Sequence, residues 1–280
     1  MSGNEEGIKK IAEGVYAFIG PNGDANHGFI TTARGLVVID NDIRSAREFQ
    51  AGINAITREN VSYLINTHHA FDHTSANHLL AGAGTTIISS APCRRLMVEM
   101  GDKLIEEIRG NDPRVGSYAG ELPVTLPDLT FERSLSLHLG SHLLEITHFG
   151  QAHTPGDSIV YLPREGILFA GDLIVNGYHP QARDGNLDNW LKILDEMEKM
   201  PIRTIVPGHG FLLQGKEGIR QLRTYFLAIE QGVARMVKAG KSLEEIQKEL
   251  ALPAYQGWGK VKFLPNTIKM MHARVRKKDR

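Results

Sequence analysis

A single cysteine, Cys93, stands in the 280 residues, so neither an internal disulfide framework nor a cysteine-rich zinc or iron–sulfur site can form. Any metal must therefore be held by imidazoles and carboxylates. Charge of one sign is also lacking: 32 Lys and Arg balance 32 Asp and Glu, and no global field would hold the chain on nucleic acid or an anionic membrane. No run of about 18 apolar residues occurs, which excludes a membrane-spanning helix. The first residues, MSGNEEGIKKIAEG, are acidic and lack the apolar stretch of about 7–15 residues that a secretory signal needs. The expectation is a cytoplasmic protein without a nucleic-acid or membrane partner, and compatible with a homo-oligomer.

What is present is ordinary globular material, 41% hydrophobic and 23% charged, with 29 Gly and 12 Pro for tight turns. From Gly14 to Asp40, short apolar runs broken by Gly and Asn read as antiparallel strands, with Ala33-Arg34-Gly35 as a hairpin turn. Ile43, Ala46, Phe49, Ile53 and Ile56 then recur at spacings of three and four, predicting a helix over 43–58. The strand VSYLIN follows, then helix (74–81), strand (85–89) and helix (92–108). Residues 109–128, rich in Pro and Gly, read as a surface loop. The segments TFERSLSLHLG, HLLEITHFG, SIVYLP and GILFAGD read as four more strands, followed by a helix at 187–199 and the strand in RTIVPGHG. The remainder reads as helical, with breaks at Gly240, Pro253 and Gly257. Strands in runs with helices at intervals, twice over, fit two sheets packed face to face with helices outside, although the pattern alone also admits other mixed folds.

The chemical signal lies in four turns at strand ends: Thr67-His68-His69-Ala70-Phe71-Asp72-His73, Gln151-Ala152-His153-Thr154, Ala170-Gly171-Asp172 and Pro207-Gly208-His209-Gly210. Ligand sites favour carboxyl ends of strands, and catalytic zinc needs about three His or carboxylate ligands with one position open. In these residues the chain resembles the metallo-β-lactamase fold superfamily over roughly residues 10–215. The family's motif is His-x-His-x-Asp-His, followed by a lone His, a bridging Asp and a final His.

The resemblance implies an α/β fold, a four-layer αββα sandwich of two mixed sheets with helices outside. It would span residues 1–214, with a C-terminal helical region at 215–280 packed on it. It implies a first metal site from His68, residue 70 and His153, and a second from Asp72, His73 and His209, with Asp172 bridging. Ala70 breaks the pattern, because a methyl group binds no metal. The first site is then weak and one zinc ion sits firmly at Asp72, His73, Asp172 and His209, with iron or manganese as other candidates. His69 should point away from its neighbours in an extended segment.

The implied activity is a metal-dependent hydrolase. A metal-bound hydroxide, with Asp72 as the catalytic carboxylate, attacks a small-molecule ester, thioester, lactone or related bond. Two other readings stand beside it. His68, His153 and Asp172 make a two-His, one-carboxylate set, as in the superfamily's non-haem iron persulfide dioxygenases. Alternatively, the chain is an impaired or inactive binding protein that lost its reaction at Ala70, by divergence or by design. Tyr178 and His179, shortly after Asp172, are expected to border the substrate pocket. His27 reads as a surface histidine, Cys93 and Trp190 as core, and the basic end from Arg274 to Arg280 as a frayed terminus.

Overall fold

The computed structural model describes residues 5–101, 103, 104, 106, 112–116 and 123–278. One sheet takes seven strands in sequence order: β1 (Gly7–Ala12), β2 (Val15–Ile19), β3 (His27–Thr32), β4 (Gly35–Ile39), β5 (Val61–Ile65), β6 (Thr86–Ser90) and β7 (Leu129–Phe131). Pairing is antiparallel from β1 to β4 and parallel from β4 to β7. The second sheet comprises β8 (Ser134–Leu139), β9 (His142–Thr147), β10 (Ile159–Leu162), β11 (Ile167–Phe169), β12 (Thr204–Val206) and β13 (Leu213–Gln214), in the order β13-β12-β11-β10-β9-β8. Only β11 and β12 run parallel there.

The side-chain alternation of strands builds the layers. Val15, Ala17 and Ile19 of β2 and Val37 and Ile39 of β4 face Val160 and Leu162 of β10 and Phe169 of β11, forming the core between the sheets. Phe18, Leu36 and Val38 point the other way, where Phe49 and Ile53 of α1 (Ala46–Ile56) cover them. A strand buried on both faces reads as a continuous apolar run, as GLVVI does. Behind the second sheet, Ile159 and Tyr161 pack in one cluster with Trp190, Ile193 and Leu194 and with residues of the C-terminal helices.

The helices described from end to end after α1 are α2 (Phe71–Thr74), α3 (Asn77–Leu80), α4 (Ala91–Met100), α5 (Pro113–Gly116), α6 (Leu187–Lys199), α7 (Glu217–Lys238), α8 (Leu243–Glu249) and α9 (Leu264–Lys278). Ile219, Leu222, Tyr225, Phe226, Ile229 and Val233 of α7, at spacings of three and four, share the apolar cluster of the second sheet. The helices from 217 onward thus pack on the sandwich through one common core.

Several expectations need correction. The helix over 74–81 is two single turns, because Asn41 Oδ1 accepts from the Ala76 backbone N–H at 2.6 Å and Asn77 bonds to Asn41, Asn66 and the Thr125 carbonyl. Side chains there compete with the helical ladder. The helix from 92 ends at Met100, and of the expected 109–128 loop, residues 109–111 and 117–122 lie outside the described residues while Pro113–Gly116 forms a helical turn. β1, unread in the sequence, is a half-buried edge strand carrying Lys9 and Lys10. His27 is 1% exposed, stacked on Phe18 with ring centroids 5.6 Å apart, and so is core. Arg274 is anchored to Asp188 and Glu230 rather than frayed.

Candidate metal centre

The ends of β4, β5, β11 and β12 open onto one edge of the sandwich, and each delivers a polar residue there. Asp40 follows β4, Thr67 and His68 follow β5, Asp172 follows β11, and His209 follows β12. His153 comes from the turn between β9 and β10, while Asp72 and His73 lie in α2. The turns are held close by Asn26, whose side-chain amide donates to the carbonyls of Pro207 and Gly210 at 2.8 and 2.7 Å. Gly208 is required, since a Cβ there would lie 2.0 Å from Asp172 Oδ1.

Each imidazole is oriented from behind by its Nδ1. That atom meets the Thr67 hydroxyl at 3.1 Å in His68, Asp40 at 2.9 Å in His73, the Gln181 carbonyl at 2.7 Å in His153 and the Gly23 carbonyl at 3.0 Å in His209. A hydrogen bond at one ring nitrogen fixes the tautomer that presents the other to a metal. Asp40 also accepts from the Thr67 backbone N–H and hydroxyl, each at 2.7 Å, and its φ of 56° turns the chain sharply after β4. One carboxylate thus orients His73 directly and His68 through Thr67.

The forward atoms converge. Ligand atoms of His68, His153 and Asp172 lie within 4.8 Å of one another, and so do those of Asp72, His73 and His209. Asp172 spans both groups: its Oδ2 is 3.6 Å from His153 Nε2, and its Oδ1 is 3.3 and 3.4 Å from Nε2 of His73 and His209. His68 Nε2, His73 Nε2 and Asp172 Oδ1 are buried without a hydrogen-bond partner. Buried polar atoms are rarely left so, and a cation among them would satisfy all three. The donor set, nitrogen and carboxylate oxygen, suits zinc, iron or manganese.

Electrostatics follow from this crowding. Burial lowers His68 well below its ordinary pKa, assisted by the charges of His73 and His153. Burial also pulls His73 down, but Asp40 and Asp172 outweigh it and raise the ring well above its usual range. Burial raises Asp72 and Asp172, yet neighbouring imidazoles hold both carboxylates well below the usual value, with Arg44 contributing at Asp72. Protons and a divalent cation compete for these same atoms.

Ala70 caps the start of α2 and its methyl lines the central cleft. His69 also lines that cleft but does not join either triad; its ring stands at 84° to His68 with centroids 6.5 Å apart. Burial, then the charge of His153, lowers it to about 4. The cleft, about 200 Å³, is walled further by Phe71, Met100, Leu104 and Phe263, with Arg183, Asp184 and Lys260 as charged groups. Tyr178 and His179 are placed elsewhere. Tyr178 packs on Gly23 and Gly259, and His179 is buried, bonded to the Tyr225 hydroxyl at 2.9 Å and facing Trp258. The turn after Asp172 bends away from the cleft into the C-terminal aromatic cluster.

Three residues escaped the sequence reading. Asp40 left a trace in the acidic turn Asp40-Asn41-Asp42 after a buried strand. Arg44 is a partly buried guanidinium, its side chain 15% exposed, bonded to Asp42, with Asp24 at 3.1 Å and Asp72 and Asp112 each at 3.5 Å. Lys260 gave no signal; its ammonium lies 3.0 and 3.4 Å from Nδ1 and Nε2 of His209. Burial lowers its pKa, opposed by the charges of Asp72 and Asp172.

An αββα sandwich with paired His and Asp clusters at one edge defines a class of metal-site proteins. The chain belongs to the metallo-beta-lactamase superfamily, whose family model matches residues 21–209. A metallo-beta-lactamase type 2 from Bacteroides fragilis is 31% identical over 109 residues, 34% of this chain and 44% of that protein. In three dimensions the chain is similar to a metallo-beta-lactamase family protein from Thermus thermophilus, with TM-score 0.72, 18% identity and coverage of 96% of this chain and 95% of that one. It is also similar to the stereoselective inverting sec-alkylsulfatase from Pseudomonas sp., with TM-score 0.72 and 16% identity, over 96% of this chain and 50% of that one. The matches thus span half or less of the lactamase and of the sulfatase. At these identities the structural likenesses establish the fold. Among the described residues no helix is long and apolar enough to cross a membrane.

Proposed function

We propose that this chain is a metal-dependent hydrolase of a small-molecule ester, thioester, lactone or related bond. The observation that carries the reading is the convergence of six side chains from separate turns, with buried nitrogen and oxygen atoms facing one another unpartnered. When bound, a divalent cation would lower the pKa of coordinated water from about 15.7 toward 7. His68, His153, His73, His209, Asp72 and Asp172 are the residues that would hold it. Asp72 has the more exposed side chain of the two site carboxylates, 25% against 10% for Asp172. Ionised and facing the cleft, it accepts a hydrogen bond from the attacking water and orients it. Phe71, Met100, Leu104 and Phe263 shield the cleft and favour an apolar portion in the substrate.

The test is metal analysis of the purified protein with a hydrolysis panel of thioesters, lactones and aryl esters. Zinc content with hydrolysis abolished by chelation and restored by zinc supports the reading. Inactivity across the panel in zinc-loaded protein overturns it. A second reading has its own observation, the buried His68, His153 and Asp172 triad, which is the ligand type of non-haem iron oxygenases. Iron content with oxygen uptake on a persulfide favours that reading.

A further inference from the structure

Counting imidazoles makes Asp72, His73 and His209 the stronger ligand group, because Ala70 deprives the other of a ring. Counting charges reverses the order. Arg44 approaches Asp72 at 3.5 Å, and Lys260 lies 3.0 and 3.4 Å from the two ring nitrogens of His209. Two of the three ligands in this group therefore already border a fixed cation. The other group differs: among the described residues, Asp172 forms ion pairs with histidines only, and His68 and His153 donate from Nδ1 to the Thr67 hydroxyl oxygen and the Gln181 carbonyl.

We propose that the Lys260 ammonium and the Arg44 guanidinium stand in place of a second metal ion, so that the chain holds one ion, at His68, His153 and Asp172. This rests on the metal-centre reading above and names which half of that centre is loaded.

Both cations are built into the fold rather than swept in from solvent. Lys260 adopts φ 54°, a left-handed conformation, directly after Gly259. Gly259 is clamped by two backbone hydrogen bonds, accepting from His179 N–H at 3.0 Å and donating to the Gly177 carbonyl at 2.9 Å. The Tyr178 ring packs on Gly259 and lies 5.6 Å from the ammonium. Tyr178 thus acts on the site through Lys260. Arg44 is fixed by its bonds to Asp42, whose side chain is fully buried, and by Asp24. A divalent cation held by His209 Nε2 would have the ammonium as a close neighbour in a poorly solvated site, where like charges repel strongly. The monovalent pair still neutralises Asp72 and presents positive charge to an anionic group developing in the cleft.

The experiment is zinc titration of chelator-treated full-length protein, read by calorimetry and by elemental analysis after desalting. Wild type is expected to retain one ion per chain. Lys260→Met is expected to take up two, its second binding step tightened about tenfold or more by removal of the fixed charge. His68→Ala should abolish the tight ion, whereas His209→Ala should keep it. Imidazole nitrogen resonances of wild type supply a check independent of any variant's folding: the first equivalent of zinc should move those of His68 and His153 and leave His209 unmoved. Two ions of equal affinity in wild type, or His209 responding to the first equivalent, overturns the inference and leaves the hydrolase reading intact. No zinc uptake by any form overturns both.

Discussion

The two halves of the metal centre share a sheet edge, a carboxylate and a ligand chemistry, yet they sit in different electrical surroundings. His68 and His153 are backed by the uncharged Thr67 hydroxyl and Gln181 carbonyl, and Asp172 pairs with histidines; Asp72, His73 and His209 meet Arg44, Lys260 and, behind His73, the carboxylate of Asp40. The difference teaches that ligand count alone does not rank metal sites. The charge already present around the ligands enters with equal weight, because a divalent ion must be placed against it in a medium that screens poorly.

Asp172 offers the most severe way to break the comparison, as its carboxylate lies within 3.6 Å of ligand atoms of both halves. Asp172→Asn should abolish tight metal binding and lower kcat/KM by about a thousandfold or more, the several kcal/mol that a positioned cation contributes. Zinc retained at wild-type affinity in this variant would show that the halves are independent.

Asp40→Asn acts through other residues. Removing its charge loosens His73 directly and His68 through Thr67, and such outer partners are typically worth about 10–100-fold in metal affinity. The ion at His68, His153 and Asp172 should weaken by that factor in a zinc titration, through the Thr67 relay to His68. Loss confined to His73, read from its imidazole resonances, would show that the Thr67 relay carries nothing. Ala70→His sharpens the comparison from the opposite direction. An imidazole added at the start of α2 should tighten the His68 and His153 half by about tenfold, a gain of about 1.4 kcal/mol. An unchanged zinc affinity would mean that the cleft wall at position 70 does not reach the ion.

The legible part of this molecule was the part written locally. His68, Asp72 and His73 fall within one turn after a buried strand, and Asp172 and His209 each end a short apolar run beside glycine, so residue type and strand-end position coincide. The strands were legible as apolar runs such as GLVVI and as hairpins, whereas their arrangement in two sheets came from the family resemblance and their order from the structure. Tyr178 and His179 misled because proximity to Asp172 in sequence says nothing of which way the turn bends; it is the packing of Tyr225, Tyr255 and Trp258 that draws His179 inward. Lys260 was invisible for the complementary reason. Its place beside His209 depends on a backbone bridge between Tyr178 and Gly259, two segments far apart in the chain, and a lone lysine in a loop carries no periodicity or motif. Arg44 likewise resembles any helix-start arginine until Asp24, Asp42, Asp72 and Asp112 are brought around it.

The smallest predicted effect concerns a histidine outside both halves. His27 is fully buried between Phe18 and Phe49, with Nε2 3.2 Å from the Ser45 hydroxyl, and burial, then the charge of His73, sets its pKa well below the ordinary value. A folded value beneath the unfolded one of about 6.5 means that both states are neutral above that pH and the full contribution to stability is present. Below it the unfolded chain binds a proton that the native chain refuses, so stability falls as pH falls, by up to about 1.4 kcal/mol per pH unit for each such group. His68 imposes the same slope in metal-free protein, because burial lowers it too. Urea unfolding of chelator-treated protein at pH 7, 6 and 5 should therefore show His27→Gln losing less stability on acidification than wild type, by close to one proton's worth of slope. Identical slopes would mean that His27 takes up its proton in the native state, and that its burial among aromatic rings does not distinguish it from the imidazoles facing the cleft.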